Sequence, residues 1–303
     1  MSKAEPKDYL QLHFLVLIWG FTAILGLLIS VSALALTFYR TLLAAIGLAL
    51  VLWLRKEWKT VPSRERWQLL AVGLSMGLHW LAFFASARVS NVSVCLAGMS
   101  TTSLWTALLA PLLGRRRVQP LEIVLSLVVV MGLYVIFRFE FDRALGLGLA
   151  LIAAFLAALF TIANSHFTKR HGALLITFYE MVGGSISTLI ALLIYASFGN
   201  NYATTPFIPS TLDWFWILIL ALVCTVYAYS AGVHLLRKIS PFVFNLTVNL
   251  EPVYGIVLAY LIFGESERMT SGFYAGTVII LLAVLAYPVL NRKVEGRETK
   301  TAD

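Results

Sequence analysis

The residues best suited to chemistry sit where an apolar solvent should exclude them. The stretch Asn245 to Glu265, NLTVNLEPVYGIVLAYLIFGE, carries Glu251 and Pro252 in an apolar run, with Asn245 and Asn249 four residues apart just before them. Ser240-Pro241 reads as a helix start, Ser as N-cap and Pro at the first helical position. Counted from there, Glu251 lies roughly 15 Å deep, about the centre of a bilayer. An ionised carboxylate at that depth costs at least about 2.5–3.5 kcal/mol, so it must face protein or a wet cavity. It could take a proton or a cation, or act as hydrogen-bonding glue between helices. Pro252 cannot donate to the carbonyl of Val248, which predicts a helix break with a free acceptor in mid-membrane. On a helical wheel Asn245, Asn249 and Pro252 share one side, and Thr247, Glu251, Tyr254 and Leu258 roughly the other. A helix with polar groups on both sides belongs in the middle of a bundle.

His79, in GLHWLAFFASAR with Phe83 one turn on, offers an imidazole near mid-span. Its ordinary titration near neutrality suits a proton relay or a ligand contact, and the plainer reading is one hydrogen bond to a facing helix. Arg40 and Glu180 end the related strings TFYR and TFYE. Each lies ~9 Å in from its own helix end. Snorkelling or a local partner is expected of both, and Arg40 reads as too shallow to serve a central cavity. The candidate cavity-lining set is Trp19, His79, Phe83, Thr101, Asn164, Tyr227, Tyr229, Asn245, Asn249, Glu251 and Tyr254, with Thr102 beside it and Pro252 as the break. No H-E-x-x-H, G-x-S-x-G or G-x-x-x-x-G-K-[ST] string occurs, so neither an enzyme nor an ATP-driven pump is indicated. Cys95 and Cys224 fall inside apolar runs and have no metal-ligand or disulfide spacing. No metal or cofactor is expected.

The elements that must position these groups follow from composition. The chain has 303 residues, 60% hydrophobic and 13% charged, with a mean hydropathy of +0.86. A soluble domain would carry roughly twice that charge. Apolar runs near 12–29, 34–54, 68–88, 91–112, 121–137, 146–167, 174–197, 214–236, 241–263 and 272–290 are each long enough to span ~30 Å of hydrocarbon as a helix. The expectation is an all-α membrane protein of ten transmembrane helices, multi-pass in the lipid bilayer. The first run is kept as a span: its apolar core is long for a signal peptide, and Glu5 and Asp8 dilute the basic flank.

The net charge of +8 is explained by placement. With the N-terminus in the cytoplasm, Lys3, Lys7, Arg55, Lys56, Lys59, Arg64, Arg66, Arg115, Arg116, Arg117, Lys169, Arg170, Arg237, Lys238 and the tail residues Arg292, Lys293, Arg297 and Lys300 fall inside. Only Arg88, Arg138, Arg143 and Arg268 fall in outer loops. This is positive-inside asymmetry, it places both termini in the cytoplasm, and it makes a nucleic-acid partner unnecessary.

The chain also repeats itself. At a shift of 150 residues, RVSNVSVCLAGMSTTSLWTALLAPLLGR falls on KISPFVFNLTVNLEPVYGIVLAYLIFGE, so that Ser90 meets Ser240 and Gly114 meets Gly264. The halves read as a tail at 1–11, a five-helix repeat over 12–140, a second over 141–291 and a tail at 292–303. Repeats with an odd number of spans enter the membrane oppositely, a plan that recurs in secondary transporters with the substrate site near midplane. Gly73 to Gly77 and Gly272 to Gly276 have G-x-x-x-G spacing, which permits close helix contact and the seam of a homodimer.

LEPVYGIVLAYLIFGE, followed by Gly276, closely resembles the second-half signature of EamA-type carriers of the drug/metabolite transporter superfamily, and Ile18-Trp19-Gly20 resembles their first-span motif. The resemblance covers about 12–291. It implies a plasma-membrane carrier (the inner membrane in a bacterium) for amino acids, their derivatives or other small metabolites, frequently an exporter. It also implies a cavity formed by spans one, three, four, six, eight and nine, with five and ten peripheral. The first half departs from the pattern: Thr102 stands where the family usually has Pro, and Arg115 where it has Glu after Gly114. With few fixed charges among the candidates, the expected partner is a neutral or zwitterionic small molecule, and a sugar phosphate is disfavoured. Alternating access, coupled to protons or not, is the expected mechanism. A channel or non-transporting receptor is the alternative, and a membrane-embedded enzyme a more distant one.

Overall fold

The computed structural model describes residues 4–114, 119–139, 141–197 and 207–300, and every regular element among them is helical. Lys3 and the cluster Arg115, Arg116 and Arg117 lie outside the described residues, as do the side chains from Arg292 onward. The α-helices are α1 (Pro6–Gly20), α2 (Thr22–Leu28), α3 (Ala33–Leu54), α4 (Ser63–Val89), α5 (Val92–Met99), α6 (Thr102–Gly114), α7 (Pro120–Phe139), α8 (Ala144–Phe167), α9 (Ala173–Ser197), α10 (Thr211–Leu218), α11 (Ser230–Leu235), α12 (Pro241–Val248), α13 (Glu251–Phe263) and α14 (Ser271–Lys300). A π-helical stretch, Ile219–Tyr229, joins α10 to α11. Among the described residues eight helical runs are long and apolar enough to cross a membrane. Two shorter apolar helices, Pro120–Ile136 and Ser271–Ala283, stand where the fifth and tenth spans were expected.

Both tails are more helical than hydropathy suggested. α1 starts at Pro6 because Glu5 and Asp8 form a reciprocal capping box and Pro occupies the first turn. α14 continues to Lys300. Helix formation needs no apolar side chains, so a hydropathy boundary marks where lipid ends rather than where the helix does. Ser240 caps α12 with Pro241 in the first turn, as the sequence predicts.

Three of the spans are interrupted near mid-depth. α1 stops at Gly20 and α2 resumes at Thr22, whose hydroxyl donates to the Trp19 carbonyl at 2.7 Å. α12 ends at Val248 and α13 begins at Glu251, so Pro252 lies in a first turn of a new helix rather than inside a continuous one. The equivalent break between α5 and α6 falls at Ser100–Thr101, although no proline stands there. Hydroxyls do the work instead: Thr101 donates to the Gly98 carbonyl at 2.8 Å and Thr102 to the Met99 carbonyl at 2.7 Å. The loss of Pro at position 102 therefore does not remove the break. Replacing Thr101 and Thr102 together by Ala is expected to leave two buried carbonyls under-satisfied and to lower stability by about 1–3 kcal/mol, read as thermal unfolding of the purified protein in detergent.

The helices pack in a pattern that leaves two at the edge. α4 lies along α8 and α9, α3 along α9 and the π-helical stretch, α6 against α8 and α12, α5 against α13, and α1 against α12 and α13. α7 and α14 pack chiefly on one another. Gly73 and Gly77 are used inside the chain. A Cβ on Gly73 would overlap the backbone of Glu180, one on Gly183 the carbonyl of Leu70, and one on Gly77 would meet Ser187 and Gly184. Gly276 likewise faces Gly132 on α7. These small residues set intrachain crossings. Large exposed apolar side chains such as Leu112, Leu127, Leu193, Leu261 and Leu282 cover the outside, as lipid contact requires, and Trp53 and Trp67 flank the basic stretch 55–66, with Trp58 inside it.

Polar ties close both ends of the bundle. At one, Asp213 accepts from the N–H and hydroxyl of Ser30 and of Ser210, Arg88 donates to the carbonyls of Gly26 and Ile29 at 3.1 Å, and Glu267 accepts from Val92 and Ser93. At the other, Lys238 pairs with Asp8 at 2.9 Å, Arg237 donates to the Thr168 carbonyl at 2.7 Å, and Arg170 and His171 hold Glu65.

Candidate functional site

A cavity of about 100 Å³ opens beside the helix breaks, room for several waters. Its walls come from α1, α2, α3, α4, α5, α6, α8, the π-helical stretch, α11, α12 and α13. The spans expected from the family resemblance all contribute. Span two, which was not expected, adds Arg40.

Seven of the expected residues meet there: Trp19, His79, Phe83, Asn164, Tyr229, Asn245 and Glu251. Glu251 is 6% exposed, and among the described residues its carboxyl makes no hydrogen bond. The hydrogen bond that the glue reading calls for is not seen among them. Its acid group is part of the wall, open to whatever enters.

The asparagines behave differently. Asn249 donates to the Ser103 hydroxyl at 2.7 Å and Asn245 to the Thr106 hydroxyl at 2.8 Å, fastening α12 to α6. Asn245 also accepts from Thr161 at 3.3 Å and borders the cavity, whereas Asn249 does not line it. For Asn249 the helix-to-helix role is the one observed.

Thr101, Tyr227 and Tyr254 also lie outside the lining. The Thr101 hydroxyl is spent on Gly98, and Thr102 faces the cavity in its place. Tyr227 is 49% exposed on the outer surface, because two residues along a helix point to nearly opposite sides and Tyr229 takes the inner one. Tyr254 packs with Leu12, Leu15 and Phe244 in the cluster around α1.

Arg40 corrects the reading of shallow depth. It is 2% exposed and is the bulkiest fully buried side chain among the described residues. Its guanidinium lies over the Trp80 ring at 3.9 Å, its Nε donates to Thr225 Oγ1 at 2.9 Å, and Nη1 has no hydrogen-bond partner among the described residues. A ring face and one hydroxyl stabilise the cation without neutralising it. Helical rise fixed its distance from a helix end, but tertiary packing turned it inward. Arg40 and Glu251 thus face one cavity within electrostatic reach of each other, yet share no hydrogen bond. The cavity wall thus holds one cation and one acid that are not joined to each other.

Trp19, Trp80, Phe83, Phe160, Tyr229 and Phe244 add aromatic rings to the lining. Phe160 sits 5.3 Å from His79 and 6.1 Å from Tyr229, and Phe244 is 6.1 Å from Trp19. Such faces also attract an alkylammonium group. His79 Nδ1 is 2.8 Å from the Ala153 carbonyl. A carbonyl only accepts, so Nδ1 carries a hydrogen and Nε2 is the nitrogen left for other partners. Trp80, Phe160, Thr161 and Phe244 were missed by the sequence reading. Phe160 and Thr161 precede Asn164 by one turn, so helical spacing from a candidate already chosen was the usable signal.

The sequence model of the EamA-like transporter family matches residues 9–138 and again residues 144–287. An uncharacterized transporter of Synechocystis sp. is 26% identical over 263 residues, which cover 81% of this chain and 73% of that protein. A crystal structure of another protein superposes with a TM-score of 0.69 at 14% identity, covering 95% of this chain and 99% of the other, a likeness of fold.

Proposed function

The chain belongs to the EamA-like transporter family, and from that premise we propose that it is a secondary carrier exporting small zwitterionic metabolites, amino acids among them, by alternating access. The observation that carries the substrate class is the unjoined pair of Arg40 and Glu251 in one aromatic-walled cavity. A carboxylate can pair with the Arg40 guanidinium while an ammonium group lies between Glu251 and the rings. A phosphate ester would place two negative charges near Glu251 with a single cation to answer them, which disfavours that class.

Ten spans in two inverted halves remain the architecture we favour. The two separate matches to one family model support it. So do the equivalent breaks at 100–101 and 249–250. Arg88 reaches carbonyls at the end of α2 as Arg237 reaches one at the end of α8, and α7 and α14 mate as fifth members of each half would. Export is what the resemblance to EamA-type carriers implies, and the lining descends to Leu236, beside Arg237 and Lys238, which the charge asymmetry assigns to the cytoplasm together with both termini. The ties at both ends would then break in turn.

Proteoliposomes preloaded with a mixed amino-acid pool provide the test. Saturable counterflow of at least one amino acid is expected, with no exchange of sugar phosphates. Unsaturable flux would indicate a pore, and tight preference for a phosphate ester would overturn the substrate class.

A further inference from the structure

A second acid lies behind the cavity wall. Glu180 on α9 is 0% exposed. Tyr229 donates to its Oε2 at 3.1 Å, Asn164 donates to the Tyr229 oxygen at 2.7 Å, and Glu180 Oε1 has no partner among the described residues. The snorkelling expected of this residue does not occur, because its backbone is clamped against Gly73 of α4.

Of the titratable groups on the helices packed against α9, Tyr229 is the one bonded to Glu180. Arg40 on α3 is turned to Thr225 and Trp80, and His79 on α4 to Ala153. Tyr39 on α3, Glu65 at the start of α4 and His234 on α11 make no hydrogen bond to it. A carboxyl buried this fully beside a hydroxyl and an amide, with no cation bonded to it, has one small cation it can accept without enlarging its site: a proton.

The geometry also supplies a route. Tyr229 and Asn164 line the cavity, and Glu180 does not. A proton delivered to the Tyr229 oxygen from cavity water can release the hydroxyl hydrogen already aimed at Glu180 Oε2, and the reverse exchange unloads it. Tyr229 shares the π-helical stretch with Thr225, the hydroxyl that holds Arg40, four residues away and so on the same side. A change in the Glu180–Tyr229 bond is therefore transmitted along one element to the cavity's cation.

We propose that Glu180 is a proton-binding site separate from Glu251, loaded and unloaded through the Tyr229 hydroxyl, and linked to the substrate site at Arg40 through the π-helical stretch. The linkage rests on the carrier reading, whereas the proton binding does not. Infrared difference spectra of reconstituted protein across a pH step decide the first part. The parent is expected to show a protonated-carboxyl band that Glu180→Gln removes and Glu251→Gln retains, with slower equilibration in Tyr229→Phe. An unchanged difference spectrum in a folded Glu180→Gln protein would overturn the site. If that variant does not fold, a Tyr229→Phe band that equilibrates at the parent rate would overturn the route.

Proteoliposomes with an internal pH dye decide the linkage, with a mixed amino-acid pool as probe. Glu180→Gln is expected to keep counterflow but lose substrate-driven proton movement. Persistent proton movement in that variant would refute the linkage. Absence of counterflow in the parent would count against the carrier reading alone, and the infrared band would still decide the site.

Discussion

Glu251→Gln is expected to weaken saturable exchange by about 10- to 100-fold while changing unfolding stability by no more than about 1 kcal/mol. The first figure is the worth of a contact to a charged group, about 1.5–3 kcal/mol. The second follows because among the described residues the carboxyl makes no hydrogen bond that the variant could break. Gln keeps the shape and removes the acid, so the apparent affinity for a zwitterion should fall before the maximal rate does. Counterflow across a concentration series, with differential scanning fluorimetry on the same preparation, separates the two. Parent-like affinity in a stable variant would reduce Glu251 to a passive part of the wall.

Gly73→Val should be among the most damaging single substitutions for folding. The atom that a Cβ at Gly73 would strike is backbone of Glu180, and backbone cannot rotate aside as a side-chain tip can. Overpacking typically costs about 1–3 kcal/mol. Here it forces α4 from α9, which also detaches Glu180 from its setting, so loss of the monodisperse peak in size-exclusion chromatography is expected. Gly148→Ala on α8 is the matched control. An added Cβ meets nothing within 4 Å there, and the change should be neutral or stabilise by about 0.5–1 kcal/mol through reduced chain entropy. Equal behaviour of the two variants would refute the close crossing.

The helical class and the apolar runs could be read from the residues because lipid penalises each misplaced polar group heavily, and the same penalty pointed to a polar candidate site. Glu251 was identified by depth alone, and Trp19, His79 and Asn164 by being polar or amphipathic where lipid is the alternative. What could not be read was facing. Arg40 and Glu180 have the same depth arithmetic as a snorkelling residue, and only Trp80 and Thr225 for one, and Gly73 and Tyr229 for the other, turn them inward. Tyr227 and Tyr229 could not both face the cavity, a point that helical geometry alone would have made. The break at Ser100–Thr101 escaped notice because it is held by threonine hydroxyls, residues that favour many other contexts.

The π-helical stretch has a consequence for motion. A coil closed by i→i+5 bonds packs more residues into each turn than an α-helix, and Ile219–Tyr229 does so in the middle of a span. Rewinding it as α-helix would turn the lower part of the span about its own axis and lengthen the stretch. The groups swung by such a twist are those that grip Arg40 and Glu180.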